Sequence, residues 1–447
     1  MKERVIAIFD IGKTNKKVVL FNDKMKMVHE EEQKFAEVTD DDGFECDDLD
    51  LIEYWLKIKI RELVLSEKYD VTDINITTYG ATIVCLDANG KRITPAYNYL
   101  KPVDERIPEN IYKRYGGRDE FCRRTASPAL GMLNSGMQIL WLKKEKPEIF
   151  SNIKYVLHFP QYLSYILTRK IFSEHTSIGC HTALWDFDEM TYHRWTESLG
   201  IKLPDPVPVE TSTEIDIEGK KVRIGIGIHD SSASLAPYFS GSAGKFILLS
   251  TGTWCINMNP FNSEKLTAEQ LDQDCLCYMS INRQPVKSSR LFLGHIHETG
   301  VKMLSVHFGK PEDYFKTVKF DREHAALCKS KYEKTRIFFQ NPPLDREFNE
   351  KIDLFQFKSF EQAYHQLMLE LGDLTLNSIR LILPEKDDTS VIYITGGFSK
   401  NEHFVNVIRE HFPHKKVFLS EISNSSALGA ALVVSGLKPD VNLGLVE

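Results

Sequence analysis

The sequence predicts an α/β fold, and three observations predict it. Strand and helix signals alternate along most of the chain. Its 447 residues are enough for two or three domains with cores of their own. The opening layout of strand, glycine-containing turn and strand returns in KFILLSTGTWCINMN, residues 245–259.

The first thirty residues read as three short strands, VIAIF, KKVVLF and KMVHEE, separated by polar turns. A helix should open near Asp47 or Asp48, because Leu49, Ile52, Leu56, Ile60 and Leu63 recur at helical spacing. INITTYG and TIVCLD read as strands, followed by an Asn89-Gly90 turn. SGMQILWLKKEKPEIF and PQYLSYILTRK carry helical spacing, and the Pro-rich LPDPVPVE reads as extended. KVRIGIGIHDSSASLAPYF runs strand, polar turn, helix. Composition turns small and polar at Gly241–Lys245, which sets the expected division into domains 1–241 and 242–447. Beyond it come an amphipathic helix through Tyr364, Leu367, Leu371 and Leu374, the strand VIYIT, the loop GGFSKN, the helix NEHFVNVIREHF, the strand VFL and a closing helix SALGAALVVSG.

Composition narrows the classes. Lys plus Arg number 56 against 63 Asp plus Glu, a net charge of −7 with no long basic block, which argues against nucleic-acid binding. No run approaches the ~18 apolar residues of a membrane span. The N-terminus has no apolar stretch of signal-peptide length. Eight cysteines, several in apolar segments, suit buried thiols in a cytoplasmic protein. A small-molecule partner, no nucleic acid and no membrane is the expectation, with oligomer formation left open.

Four turns carry candidate chemistry. In DIGKTN, Gly12 permits a tight turn whose amides could face phosphate oxygens; Thr14 adds a hydroxyl, and Lys13 or Lys16 a positive charge. Asp10, ending the first strand, could hold Mg²⁺ directly or through water. An ordinary polar hairpin is the competing reading. STGTW offers Gly252 and Thr253 as a second turn of the same kind. GGFSKN, with Gly396, Gly397 and Asn401, follows a strand and opens a helix, which suits either an anion or a plain βα turn. In GIHDSSAS a strand ends at His229-Asp230 and a helix begins. A carboxylate there can serve as general base in phosphoryl transfer, or cap the helix.

DIGKTNKK, GIHDSSAS, STGTW and ITGGFSKN occur in the order and approximate spacing of the FGGY carbohydrate kinases, which this chain resembles from about Val5 to Gly436. QILWLKKEKPEIF, FPQYLSYILTRKIFSEHTSIG and ALGAAL also look like parts of that family. The resemblance implies two actin-like (ribonuclease H-like) domains with ATP and sugar in the cleft between them. It implies Asp10 for Mg²⁺, and Gly12, Lys13, Thr14, Asn15 and Lys16 around the phosphate loop. Gly252 and Thr253 would contact the terminal phosphates, and Gly396, Gly397 and Asn401 would flank the nucleoside. Asp230 would be the general base, with His229 and Gln161 beside the sugar. The layout looks nearest to rhamnulose and fuculose kinases, which phosphorylate C1 of a 6-deoxy-ketohexose. Xylulose and ribulose kinases are alternatives, and a nucleotide-driven actin-like switch or sugar sensor is a reading of another class.

The sequence departs from the family in places. Lys13 stands where Thr or Ser is common. PAYNYLKPVDER, with Tyr97, Asn98 and Asp104, replaces a Trp-x-Asp-x-Arg segment that holds sugar. EISNSSALGAA is longer than the usual lead into the last helix. Three further stretches invite other readings. GHIHE lacks metalloprotease spacing and reads as a loop or surface cluster. Cys275 and Cys277 read as strand residues rather than zinc ligands. TDDDG reads as a solvated loop.

Overall fold

The computed structural model describes residues 2–242, 244–332, 336–339, 348–349, 352–437 and 443–446. The expected boundary segment includes Ala243, which lies outside these residues.

Two seven-stranded sheets organise the chain. In the first, the strand Glu3–Ile11, buried from Val5 to Phe9, is central. It pairs antiparallel with Lys16–Asn22, which pairs antiparallel with Met27–Gln33. On its other side it pairs parallel with Tyr69–Thr78, which leads to Lys220–Gly225 and the edge strand Ser212–Ile217. The short strand Ile228–His229 also pairs parallel with the end of Tyr69–Thr78. The second sheet repeats this plan. Phe246–Thr251 pairs antiparallel with Cys255–Asn259, which pairs with Pro285–Leu291 and that with Cys275–Met279. Its parallel neighbours are Val391–Gly396 and then Lys416–Ser420. The repeat in the sequence is therefore a repeat in topology.

Helices form where the apolar spacing placed them. The helix Leu49–Leu65 opens at Asp48, whose carboxylate accepts the Leu51 amide, and it buries Leu49, Ile52, Leu56 and Ile60 against the first sheet. The helix Phe360–Arg380 buries Tyr364, Leu367, Leu371 and Leu374.

Two helices cross between the sheets, Asp230–Gly241 and Ser425–Ser435. They approach so closely that a Cβ on Gly429 would stand 1.8 Å from the Ala233 carbonyl oxygen. Asn75, from the first sheet, donates to Ala430 O of one helix (3.1 Å); Tyr238 of the other donates to Ser420 Oγ in the second sheet (3.0 Å). Each helix is thus keyed to the sheet that its neighbour in sequence does not belong to. Small residues and hydrogen bonds of this kind build the junction.

Two expectations need correcting. GHIHE is not a loop: it lies in the helix Leu293–Phe308, where His297 is buried and hydrogen-bonded to Tyr364 Oη at 3.1 Å. TDDDG is more than solvated: Asp40 and Asp42 each accept from Lys101 at 2.5 Å, and Asp41 and Asp42 accept from Lys146. Lys101 is buried, so its charge needs those carboxylates.

Candidate active site

Asp10 and Asp230 come from different strand ends of the first sheet and meet electrostatically. Burial and, to a smaller degree, the negative charge of Asp230 push the Asp10 carboxyl up to about 6, while a hydrogen bond from Ser426 opposes them. Ser426 Oγ donates to Asp10 Oδ2 at 2.8 Å. It stands in the first turn of Ser425–Ser435, so the junction helix reaches the site. That serine was not singled out in the sequence; the unusual EISNSSALGAA lead was its only trace.

Burial raises the Asp230 carboxyl to about 6 as well. Its side chain is one-third exposed, so it can still meet a ligand. Oδ1 accepts the Ser231 amide (2.6 Å) and hydroxyl (3.2 Å) and lies 3.2 Å from His229 Nε2. These contacts reach only the adjacent residues. They do not satisfy the deeper orphan amides of the helix, as a capping side chain would.

His229 is buried, and desolvation lowers its pKa to about 4, so it is neutral at physiological pH. Ser232 Oγ donates to Met279 O at 2.7 Å and so accepts from His229 Nδ1 at 3.3 Å. This assigns the free lone pair to Nε2, which faces Cys180 Sγ at 3.2 Å and Asp230. A lone pair cannot steady a carboxylate, so His229 offers Asp230 no hydrogen bond. Gly80 packs close beside them: a Cβ there would stand 3.1 Å from both His229 Nε2 and Cys180 Sγ.

A buried polar frame holds this segment. Glu174 accepts the Thr176 and Ser177 amides and the Thr176 hydroxyl, and Thr176 Oγ1 accepts the His229 amide at 3.0 Å. Gln161 is 2% exposed and its Nε2 donates to Gly227 O at 2.7 Å. The structure places it beneath the His229-Asp230 turn, with its amide hydrogen engaged by backbone. Glu174 escaped the sequence reading because nothing in EHTSIG marks it as a brace.

The first turn is closed by a hydrogen bond from the Gly12 amide to Asn15 O (2.9 Å). The Lys13 and Thr14 amides have no acceptor among the described residues. Thr14 is exposed, and Asn15 Oδ1 is buried without a partner. The lysines depart from expectation. Lys16 is 1% exposed and its Nζ donates to Asp47 Oδ1 at 2.8 Å. Lys13 Nζ donates to Glu37 Oε1 (2.5 Å) and Asp47 Oδ2 (3.0 Å). Burial alone would raise the Asp47 carboxyl, but hydrogen bonds from Lys16, Tyr79 and Lys13 bring it below its ordinary value. Lys16 is thus the counter-ion of a buried carboxylate, because Asp47 at the start of the first helix docks behind the turn. It does not point outward to a phosphate.

The second turn and the glycine loop are one unit. Thr251 Oγ1 donates to Thr395 O (2.5 Å) and accepts the Phe398 amide (3.1 Å). Gly396 has φ +88°, and a Cβ there would stand 1.8 Å from Thr251 O. Gly252, Thr253, Gly396 and Gly397 are all exposed. Asn401 caps the following helix, accepting the Phe404 amide, and donates to Tyr364 Oη at 3.0 Å. Gly294 also abuts this unit: its amide donates to Thr253 O at 3.0 Å. Tyr97 and Asn98 are spoken for, by Asp41 (3.1 Å) and Glu45 O (3.0 Å). Tyr99 and Asp104 line a cavity of ≈ 960 Å³ with Met132, Leu133 and Trp141.

Repeated sheets joined by crossing helices, with carboxyls and exposed glycine turns at the strand ends, define an actin-like α/β fold. Residues 5–216 match the N-terminal domain of the FGGY family of carbohydrate kinases. Just under half of the chain is covered by that match, and in this region the chain resembles the family. It is 23% identical to a rhamnulokinase of Oceanobacillus iheyensis across 95% of this chain and 91% of that one. Its fold matches a carbohydrate kinase from Novosphingobium aromaticivorans with a TM-score of 0.81, 22% identity, and coverage of 100% and 95%. A ligand-bound xylulose kinase from Lactobacillus acidophilus matches with a TM-score of 0.73, 16% identity, and coverage of 96% and 89%.

Proposed function

We propose that this kinase transfers the γ-phosphate of MgATP to the C1 hydroxyl of a 6-deoxy-ketohexose such as L-rhamnulose or L-fuculose. The observation that carries the transfer step is the pair Asp10 and Asp230, two carboxyls raised by burial at the ends of Glu3–Ile11 and Ile228–His229, the strands on either side of Tyr69–Thr78. Full-length similarity to a rhamnulokinase supports the choice of sugar. A pentulose is the second reading, because a xylulose kinase shares the fold.

The reading divides the chain at 241/242, with sugar held by the first domain and nucleotide by the second. It places the enzyme in the cytoplasm, in keeping with eight buried cysteines. Among the described residues no helix is long and apolar enough to cross a membrane.

Asp230 takes the hydroxyl proton as the sugar oxygen attacks phosphorus in line. A base near 6 is ionised at pH 7 yet remains basic enough to accept a proton in the transition state. His229, neutral, orients the sugar beside it, and Gln161 positions both by fixing Gly227. The amides of Lys13 and Thr14 and the hydroxyl of Thr14 bind phosphate oxygens from one side, Gly252 and Thr253 from the other. Gly396 and Gly397 admit the flat nucleoside, with Asn401 shaping the loop. Asp10 fits a divalent cation, since a carboxylate disfavoured by burial and by a like charge gains most from one. Mg²⁺, when bound there, supplies charge neutralisation on the phosphates. Lys13 retains partial exposure at the turn; Lys16 serves the fold.

A phosphorylation screen over L-rhamnulose, L-fuculose, D-xylulose and L-ribulose tests the reading. Sugar-dependent ADP release with one of the two deoxy-hexuloses preferred is expected. Preference for a pentulose would move the assignment, and stimulation by no ketose would defeat it.

A further inference from the structure

Hydrogen bonds seat the start of the helix Ser425–Ser435 on the first sheet. Lys17 Nζ donates to Asn424 Oδ1 at 3.2 Å, and Ser426 Oγ donates to Asp10 Oδ2 at 2.8 Å. The two contacts belong together. Asp10 and Lys17 are paired directly across the antiparallel hairpin. Residues so opposed send their side chains to one face. Asn424 and Ser426, two positions apart, meet that face. Asn424 holds the bend at φ 52°, a left-handed conformation that Asn adopts more readily than most residues. Its Nδ2 also donates to Met27 Sδ at 3.4 Å, in the next strand.

The place of Ser426 in its helix frees the hydroxyl. A serine in a helix interior can turn its Oγ back to the carbonyl four residues earlier. Ser426 stands in the first turn, and Ile422 precedes the helix. The hydroxyl reaches across to Asp10 instead. The backbone behind it is fixed. Ala427, Ala430 and Ala431 are fully buried, Asn75 Nδ2 donates to Ala430 O at 3.1 Å, and Gly429 lies tight against Ala233 O. A donor on so closely packed a helix cannot follow a carboxylate about, so the carboxylate takes its orientation from the donor. Asp10 is only partly buried and stays open to a ligand. A carboxylate has two oxygens, so holding one of them orients the other.

We infer that Ser426 is a positioning residue for Asp10: from the other half of the chain it fixes one carboxylate oxygen and so presents the second to the metal–nucleotide complex. The inference rests on the sugar-kinase reading above, in which Asp10 serves a divalent cation. It ties that carboxylate to the half of the chain to which the reading gives the nucleotide, so the two keep one frame when the cleft closes.

The test uses the full chain with Ser426 changed to Ala, Thr or Val. Thr keeps the hydroxyl, and Val has the shape of Thr without it, so that pair isolates the hydrogen bond. Mn²⁺ binding to the ADP complex, followed by electron paramagnetic resonance, needs no turnover. The Ala and Val variants should bind Mn²⁺ about tenfold more weakly than the wild type, because loss of orientation in a ligating group outweighs a gain in its basicity. Thr should stay within about threefold of the wild type. In sugar-dependent ADP release, kcat should fall about tenfold in Ala and Val and recover in Thr, while the KM for sugar changes less than about threefold. A merely structural serine would lower the melting temperature and leave Mn²⁺ affinity alone. Asn424→Gly suits the left-handed bend but gives up Lys17, and it should keep Mn²⁺ affinity within about threefold. Should Ser426→Ala fail to fold, the Thr and Val pair decides. Unchanged or tighter Mn²⁺ binding in Ala and Val would overturn the inference, as would equal losses in Thr and Val. An equal loss in Asn424→Gly would do the same, by assigning the effect to the seating of the loop. So would a wild-type ADP complex that holds no Mn²⁺. If Mn²⁺ binding depends on the hydroxyl as expected but no ketose is phosphorylated, the sugar-kinase reading fails and the role of Ser426 stands.

Discussion

Asp230→Asn separates a base from a cap. Asn keeps the shape and the acceptor oxygen that meets the Ser231 amide, and removes only the charge. The ionised carboxyl is disfavoured in the folded protein, which holds its pKa near 6 instead of 3.8. At about 1.4 kcal/mol per pKa unit, that penalty is roughly 3 kcal/mol at pH 7 for a fully desolvated group. One-third exposure of the side chain reduces this to ~1–2 kcal/mol. The sign is the reverse of an ion-paired carboxylate. Here the folded pKa lies above the unfolded one, so wild-type stability falls as pH rises from about 4 through 6. The Asn variant should therefore be more stable than the wild type at pH 7, by about 1–3 °C in melting temperature, and equal to it near pH 4. The same variant should lose ~10²–10⁴ in kcat for sugar phosphorylation while still binding sugar. Thermal melts at the two pH values and coupled ADP release supply both readouts. A variant less stable at pH 7 with near-normal turnover would refute the reasoning, because it would show a carboxylate that holds the helix and does no chemistry.

The pH profile of kcat/KM should fall as pH drops below about 6, since Asp10 and Asp230 both act ionised and both are raised; two required carboxylates give a limiting slope of two, approached in steps because their mutual repulsion spreads the titration. Lys16→Met should destabilise the protein by about 1–3 kcal/mol in denaturant melts by removing the buried partner of Asp47, which keeps Lys13 and Tyr79, with the KM for MgATP changing far less than stability does. A loss of ATP affinity without loss of stability would restore the lysine to the phosphate. Gly396→Ala places a methyl against Thr251 O and strains a positive φ. It should cost about 1–3 kcal/mol and weaken nucleotide binding, as read by ADP titration.

What was legible in the sequence is what local chemistry dictates. Gly12 and Gly396 stand at turns that a side chain would crowd, and alternating apolar runs set the strands beside them. Asp230 was found because a polar residue at the close of an apolar strand is conspicuous. Lys16 misled because GKTNKK shows three cations and conceals the carboxylate that claims one of them, thirty-one residues on. Ser426 meets Asp10 from 416 positions away. Gln161 matters through Gly227, 66 positions on; Glu174 bonds its near neighbours Thr176 and Ser177, and it is burial, which no window of sequence shows, that makes it a brace.

The chain by itself determined its two like sheets, its turns and the residue types at the strand ends, since backbone conformation and apolar periodicity are properties of neighbours. Only the tertiary structure decided which charges are spent on the fold and which are left for a ligand. That choice depends on burial and on pairing across domains, and both arise when distant segments exclude water together.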